Sequence, residues 1–88
     1  MREFIFSVQA DLDFQNMLRY GYVHWGETQT NRFLETFLDV AHILLDNPKV
    51  GRSLGKYRIW PIHNYLLEYS FDKKAIYILR IIPKGRPR

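Results

Sequence analysis

The hydrophobic residues of this chain change their spacing once, at Asn47-Pro48. Before this point they recur every three or four positions, which is typical of helices that bury one face. After it they alternate with polar residues, which is typical of half-buried antiparallel strands. We therefore predict an α+β fold in which a helical hairpin packs on one face of a largely antiparallel four-stranded sheet.

The first half of the chain predicts one strand and two helices, in the order β-α-α. Residues 2–7 alternate as a short strand, and Ser7 can cap the helix that follows. Gly26 should end this helix, and the second helix should start at Glu27 or Thr28 and stop before the proline. The predicted core positions of the two helices are Ala10, Phe14, Met17, Leu18, Gly21, Phe33, Leu34, Phe37, Leu38, Ala41, Leu44 and Leu45.

The second half predicts three strands, at residues 56–61, 65–71 and 75–82, which completes the order β-α-α-β-β-β. One domain should therefore span residues 1–82. Residues 83–88 should form a basic tail that is extended and mobile, because it contains one glycine and two prolines. In the middle strand the predicted core positions are Tyr65, Leu67, Tyr69 and Phe71.

Composition excludes several classes of protein. The 88 residues suffice for one small domain, and the absence of cysteine rules out disulfides, a thiolate nucleophile and a Cys-type zinc site. No apolar run is long enough to span a membrane, and early acidic residues interrupt any signal-peptide core. Histidine and acidic residues lack metal-ligand spacing, so we expect no metal and no cofactor. We expect a cytoplasmic protein whose mature chain begins at Met1.

Charge is distributed unevenly along the chain. Residues 1–46 carry three arginines and seven acidic residues, for a net charge of −4. Residues 47–88 carry ten lysines and arginines and two acidic residues, for a net charge of +8. The second half therefore produces a positive field, which would attract an acidic protein or a nucleic acid.

Five strand and turn residues are candidates for function. Arg80 interrupts an apolar run, so we expect it, together with Arg58, on the sheet face away from the helices. Trp60 either stacks a base or anchors a partner, or it packs beneath the helices. His63 and Glu68 could supply acid–base chemistry. The simpler interpretation is that His63 is an exposed turn residue and that Glu68 is a cross-strand partner of one of the two arginines.

Several short motifs, in this order, resemble the RelE/ParE family of bacterial toxins from toxin–antitoxin pairs. The first stretch is similar to a WG…LLxxNPxxGR segment of the ParE branch, and two later stretches are similar to the hairpin and the closing strand of that branch. These motifs are Trp25-Gly26-Glu27, Leu44-Leu45, Asn47-Pro48-Lys49-Val50-Gly51-Arg52, Tyr57-Arg58-Ile59-Trp60-Pro61, Tyr65-Leu66-Leu67-Glu68-Tyr69 and Ile78-Leu79-Arg80-Ile81-Ile82. The resemblance covers nearly the whole chain.

The resemblance also indicates a branch of the family. RelE-like members cleave messenger RNA in the ribosome, whereas ParE-like members poison DNA gyrase and have lost the nuclease residues. Trp60 and Leu66 occupy positions at which RelE-like members have cations, and Pro83 stands where many members have a histidine. A nuclease aims such cations at the scissile phosphate, so their loss favours the ParE-like branch.

The resemblance therefore implies a gyrase inhibitor that acts by binding rather than as an enzyme. A cognate antitoxin is the expected partner, and direct nucleic-acid binding is compatible with this function but is not required for it. The expected target-binding residues are Arg58, Trp60, Arg80, Lys84 and Arg86. Two alternatives stay open. One is a member that binds only its antitoxin and is not toxic, and the other is a ribosome-dependent mRNA endonuclease that uses His63, Glu68, Arg58 and Arg80.

Overall fold

A helical hairpin covers one face of a five-stranded sheet in the computed structural model, which describes residues 2–85. The elements are β1 (Glu3–Phe6), α1 (Val8–His24), α2 (Glu27–Asp46), β2 (Arg52–Leu54), β3 (Tyr57–Ile62), β4 (Tyr65–Phe71) and β5 (Ala75–Pro83). The strand order is β1-β5-β4-β3-β2, with β1 parallel to β5 and the other pairs antiparallel. The predicted α+β fold is confirmed.

The sheet differs from the prediction at two places. It contains an additional strand, β2, whose three residues are all exposed and, among residues 2–85, pair only with β3. A strand this short has no alternation of buried and exposed residues from which it could be predicted. The last strand continues through Pro83, and the Lys84 N–H donates to the Asn64 carbonyl at 2.7 Å. The last strand therefore extends one residue beyond the predicted end of the domain, and residues 86–88 of the predicted tail lie outside the described residues.

The helical hairpin forms as its local signals predict. The Ser7 Oγ accepts a hydrogen bond from the Ala10 N–H at 2.9 Å and caps α1. Gly26, with φ +82°, forms the connection to α2. The two helices approach closely at Gly21, where an added Cβ would lie 2.9 Å from the Thr30 Oγ1. This contact places α1 directly against α2 near their connection.

The core lies between the hairpin and the sheet. Its fully buried side chains include Leu44 from α2, Leu67 and Tyr69 from β4, and Ile76 from β5. The prediction that Leu38 is a core residue is wrong, because its side chain is 60% exposed. Successive helical residues are about 100° apart around the helix axis. Leu38 directly follows the buried Phe37 and therefore lies outside the buried stripe of α2.

A β-bulge explains why a charged residue interrupts the apolar run in β5. Tyr69 pairs with Ile78, but the preceding residue, Glu68, pairs with Arg80, so β5 holds one extra residue, Leu79. The extra residue reverses the alternation of faces along the rest of the strand. The buried positions therefore change from Ile76 and Ile78 before the bulge to Ile81 after it.

Candidate interaction site

Arg58 holds the connection between α2 and β2. It pairs across the sheet with the fully buried Tyr69, so it lies on the face toward the helices. Its Nη1 donates to the carbonyl oxygens of Lys49 at 3.1 Å and of Gly51 at 2.8 Å. The prediction that Arg58 and Arg80 share the face away from the helices is therefore wrong. The alternation of a strand shows which residues share a face, but not which face meets the core.

Tyr69 also binds the α2–β2 connection, through its side-chain hydroxyl. Its hydroxyl donates to the Pro48 carbonyl at 2.7 Å and accepts from the Gly51 N–H at 2.9 Å. Burial raises the pKa of this phenol. A Cβ on Gly51 would lie 2.4 Å from the Tyr69 hydroxyl oxygen, so only glycine fits there. Pro48 and Gly51 of the Asn47–Arg52 motif thus help to hold the fold together.

Arg80 is fixed beside α1 by an ion pair. Its register partner is Glu68, as one of the predicted alternatives has it. Its Nε lies 2.9 Å from the Asp13 Oδ2, which also accepts from the Ile81 N–H at 3.0 Å. Burial alone would raise the pKa of Asp13, but hydrogen bonds from Arg80, the Ile81 N–H and Gln9 outweigh it, and the pKa lies below its usual value. The Arg80 guanidinium is therefore positioned at the surface.

A cleft of about 580 Å³ opens next to this ion pair. We call it the polar cleft, and it lies between α1, the β3–β4 turn and the end of β5. Its lining residues are Asp13, Asn16, Met17, Tyr20, Trp25, Asn64, Tyr65, Arg80, Ile81, Pro83 and Lys84. The structure thus brings together two of the expected target-binding cations, Arg80 and Lys84. A third, Arg86, lies outside the described residues.

A second cleft, of about 570 Å³, lies beside the first. We call it the aromatic cleft, and it is lined by Trp25, Gln29, Arg32, Phe33, Thr36, His63 and Asn64. The two clefts share Trp25 and Asn64. Arg32, Tyr20 and Asn64 were not predicted from the sequence, because they come from three separate elements. The signals for this region were Trp25, within the Trp25-Gly26-Glu27 motif, and His63.

The candidate nuclease residues do not form one site. His63 adopts φ +50° in the β3–β4 turn, and its ring lies 5.1 Å from the ring of Phe33 in α2. Glu68 alternates with the core residues of β4 and so lies on the other face of the sheet. Arg58 binds the α2–β2 connection, and Arg80 binds α1. His63, Arg58 and the register pair of Glu68 and Arg80 therefore lie at three different parts of the molecule.

Trp60 packs against the core, as one of its two predicted alternatives has it. It pairs with the fully buried Leu67 and is partly buried against the core cluster. Within residues 2–85 no three His, Asp or Glu side chains lie close enough to hold a metal ion. No helix in that range is long and apolar enough to cross a membrane.

The fold and the paired clefts define a small domain that presents cations and aromatic rings at one end of a rigid sheet. The chain belongs to the family described as ParE toxin of the type II toxin–antitoxin system, parDE, whose model matches residues 4–87. The predicted RelE/ParE resemblance is therefore confirmed.

Two solved structures have the same fold. A chain of the chromosomal ParDE toxin–antitoxin system from P. aeruginosa has a TM-score of 0.75 at 18% identity, covering 94% of this chain and 96% of that one. YafQ from E. coli has a TM-score of 0.60 at 12% identity, covering 97% and 96%. No curated protein sequence matches the chain.

Proposed function

We propose that this ParE-family toxin inhibits DNA gyrase by binding it and that a cognate antitoxin neutralises it. The observation that carries the proposal is an apolar row across the open face of the sheet. Leu66 pairs with Pro61 on one side and with Ile82 on the other. A ribonuclease would need cations aimed from this row at a phosphate, to stabilise the charge that develops there. Arg80, whose register partner Glu68 lies on this face, is instead bound to Asp13 of α1.

The proposed target-binding surface is the rim of the polar cleft. Arg80 and Lys84 line it, and Arg86 follows in the sequence. Arg58 and Trp60 are not assigned to this surface, because Arg58 bonds to the α2–β2 connection and Trp60 packs against the core. A rigid scaffold with exposed cations at one end suits binding to an acidic protein surface or to a protein–DNA complex.

The proposed antitoxin surface is the edge of the sheet formed by β2. All three residues of this strand are exposed, and one side of the strand has no partner within residues 2–85. The surrounding residues, 47–67, contain the cations Lys49, Arg52, Lys56 and Arg58 and no acidic residue. An acidic segment could pair with this edge as an added strand, with charge steering its approach.

Two assays test the target. Purified protein is added to gyrase and plasmid DNA to measure cleavage complexes, and to translating ribosomes to measure cuts in the transcript. We expect the protein to produce gyrase cleavage complexes. Their amount should fall severalfold in Lys84→Gln but not in Lys73→Gln, which removes an equal charge from the exposed β4–β5 turn. Transcript cuts that disappear in His63→Ala or Glu68→Ala would instead establish the endonuclease alternative.

Two further measurements test the partner and the toxicity. The rate of association with the antitoxin should fall markedly as salt rises, because long-range attraction between exposed charges is screened. A salt-independent rate would contradict the electrostatic part of the proposal. Harmless overexpression in a bacterial host with antitoxin binding intact would show a member that only binds its antitoxin.

A further inference from the structure

The polar and aromatic clefts together carry the side chains that single-stranded nucleic acid needs. Proteins bind single strands with cations that contact the phosphates and with aromatic rings on which the bases stack. Both clefts have volumes within the usual range of ligand sites, about 300–1,000 Å³. We propose that the paired clefts bind a short single strand, with Arg80 and Lys84 on its phosphates and Tyr20 and Trp25 against its bases. This inference does not rest on the gyrase proposal.

Two cations, Arg80 and Lys84, line the polar cleft. Arg80 uses Nε and Nη2 to bind Asp13, at 2.9 and 3.4 Å, and its Nη1 has no hydrogen bond within residues 2–85. Asp13 is itself held by the Ile81 N–H, so the guanidinium is positioned before a ligand arrives. Lys84 is exposed on the same cleft, and its backbone N–H donates a hydrogen bond to the Asn64 carbonyl. The cleft therefore offers one fixed and one flexible donor to an anion.

Two aromatic rings, Tyr20 and Trp25, also line the polar cleft. Tyr20 is 51% exposed, and its ring is supported by His24 at 4.2 Å and by the edge-on ring of Trp25 at 5.9 Å. Trp25 lines both clefts, and in the aromatic cleft it contacts Phe33 at 5.9 Å between ring centres. Supported rings lose little freedom when a base stacks on them, so they suit a stacking platform.

The cations, rings and amides of the two clefts together distinguish a single strand from a duplex and from an acidic peptide. Bases in a duplex are stacked on each other and cannot reach a ring in a cleft, whereas bases of a single strand can. Asn16 and Asn64 also line the polar cleft, and their amides can bond to base edges. An acidic peptide would use the cations and leave the rings and amides without a specific role. The combination therefore favours a single strand of either DNA or RNA.

The test measures fluorescence polarisation of labelled eight-residue oligo-dT and oligo-U at low and moderate salt. A duplex DNA of equal length and a poly-glutamate peptide serve as competing ligands. We expect at least one of the two oligonucleotides to bind at least tenfold more tightly than the duplex and the peptide. Comparison of oligo-dT with oligo-U then shows whether the strand is DNA or RNA.

Two pairs of matched variants locate the site. Tyr20→Ala should weaken binding about tenfold, because it removes one stacking ring. Tyr22→Ala, which removes an exposed tyrosine of α1 outside both clefts, should have no effect. Lys84→Gln should weaken binding and lower the slope of log affinity against log salt by about 0.7. Lys73→Gln should change neither, because the length of β5, about 30 Å, separates it from the cleft.

Several outcomes would overturn the proposal. These are equal binding of duplex and single strand, tighter binding of the peptide, or equal losses in Tyr20→Ala and Tyr22→Ala. Circular dichroism of each variant shows whether it folds, and Tyr20→Phe should keep wild-type affinity because it keeps the ring. Loss of binding in a folded Tyr20→Phe would show that stacking is not the interaction. None of these measurements depends on toxicity or on gyrase.

Discussion

Removal of the Tyr69 hydroxyl tests whether the family motif is structural. The hydroxyl joins two parts of the α2–β2 connection, because it donates to the Pro48 carbonyl at 2.7 Å and accepts from the Gly51 N–H at 2.9 Å. Tyr69, Pro48 and Gly51 are all buried. Tyr69→Phe therefore leaves one buried carbonyl and one buried N–H without a partner, while the ring stays in the core.

The magnitude follows from those two groups. A buried polar group that loses its partner costs about 1–3 kcal/mol, so we expect the two groups together to lower the free energy of unfolding of Tyr69→Phe by about 2–6 kcal/mol. At about 0.05–0.15 kcal/mol per residue, a domain of this size has about 4–13 kcal/mol in total. Each kcal/mol corresponds to about 4–8 °C in a small domain, so the loss should lower the melting temperature by at least about 8 °C.

Urea and thermal unfolding followed by circular dichroism measure this change. Tyr57→Phe is the matched control, because it removes the same atom from a ring that is 44% exposed, and it should change the free energy by less than about 0.5 kcal/mol. Equal, small effects of Tyr69→Phe and Tyr57→Phe would refute the reasoning, because they would show that the buried hydrogen bonds contribute nothing measurable.

A second substitution tests the same contact from the other side. Gly51→Ala places a methyl group 2.4 Å from the Tyr69 hydroxyl oxygen and should also destabilise strongly. Tyr69→Phe removes the atom that the methyl meets first, so the double variant should lose less than the sum of the two single losses. The relief should be partial, because the new Cβ would still lie 2.7 Å from the Tyr69 Cε1 and 2.9 Å from the Ile59 carbonyl oxygen. If the losses of unfolding free energy in the two single variants add up to the loss in the double variant, Gly51 and the Tyr69 hydroxyl are not in contact and the reasoning is contradicted.

Three further predictions concern the core, the helix contact and pH. Leu44→Ala should lower the free energy of unfolding by about 2–5 kcal/mol, whereas Leu38→Ala should change it by less than about 0.5 kcal/mol, as measured by urea unfolding. Gly21→Ala should lower the melting temperature despite the better helix propensity of alanine, because its Cβ meets Thr30 Oγ1 at 2.9 Å. The pKa of Asp13 is lowered by folding, so its contribution is complete at neutral pH and is lost as pH falls below about 4. The stability difference between wild type and Asp13→Asn should accordingly shrink between pH 7 and pH 3, and a constant difference would contradict this.

Local patterns in the sequence were enough to predict most of the elements. The Ser7 cap, the Gly26 connection and the end of α2 before Pro48 depend on chemistry within a few residues, and all three are found. The alternation in β4 predicted its buried residues for the same reason. The short strand β2 was missed because its three residues carry no pattern of their own.

The faces of the sheet and the site were decided by contacts between distant residues. Arg58 lies toward the helices because β3 is in register with Tyr69, and Arg80 bonds to Asp13, 67 positions earlier in the chain. The clefts combine residues from α1, α2, the β3–β4 turn and the end of β5. The sequence by itself therefore determined most of the elements, the order of those elements and the family, because caps and hydrophobic spacing act within one or two turns of chain. Only the tertiary structure decided which charges are fixed and which line a cleft, because that depends on the register and packing of segments that are far apart in sequence.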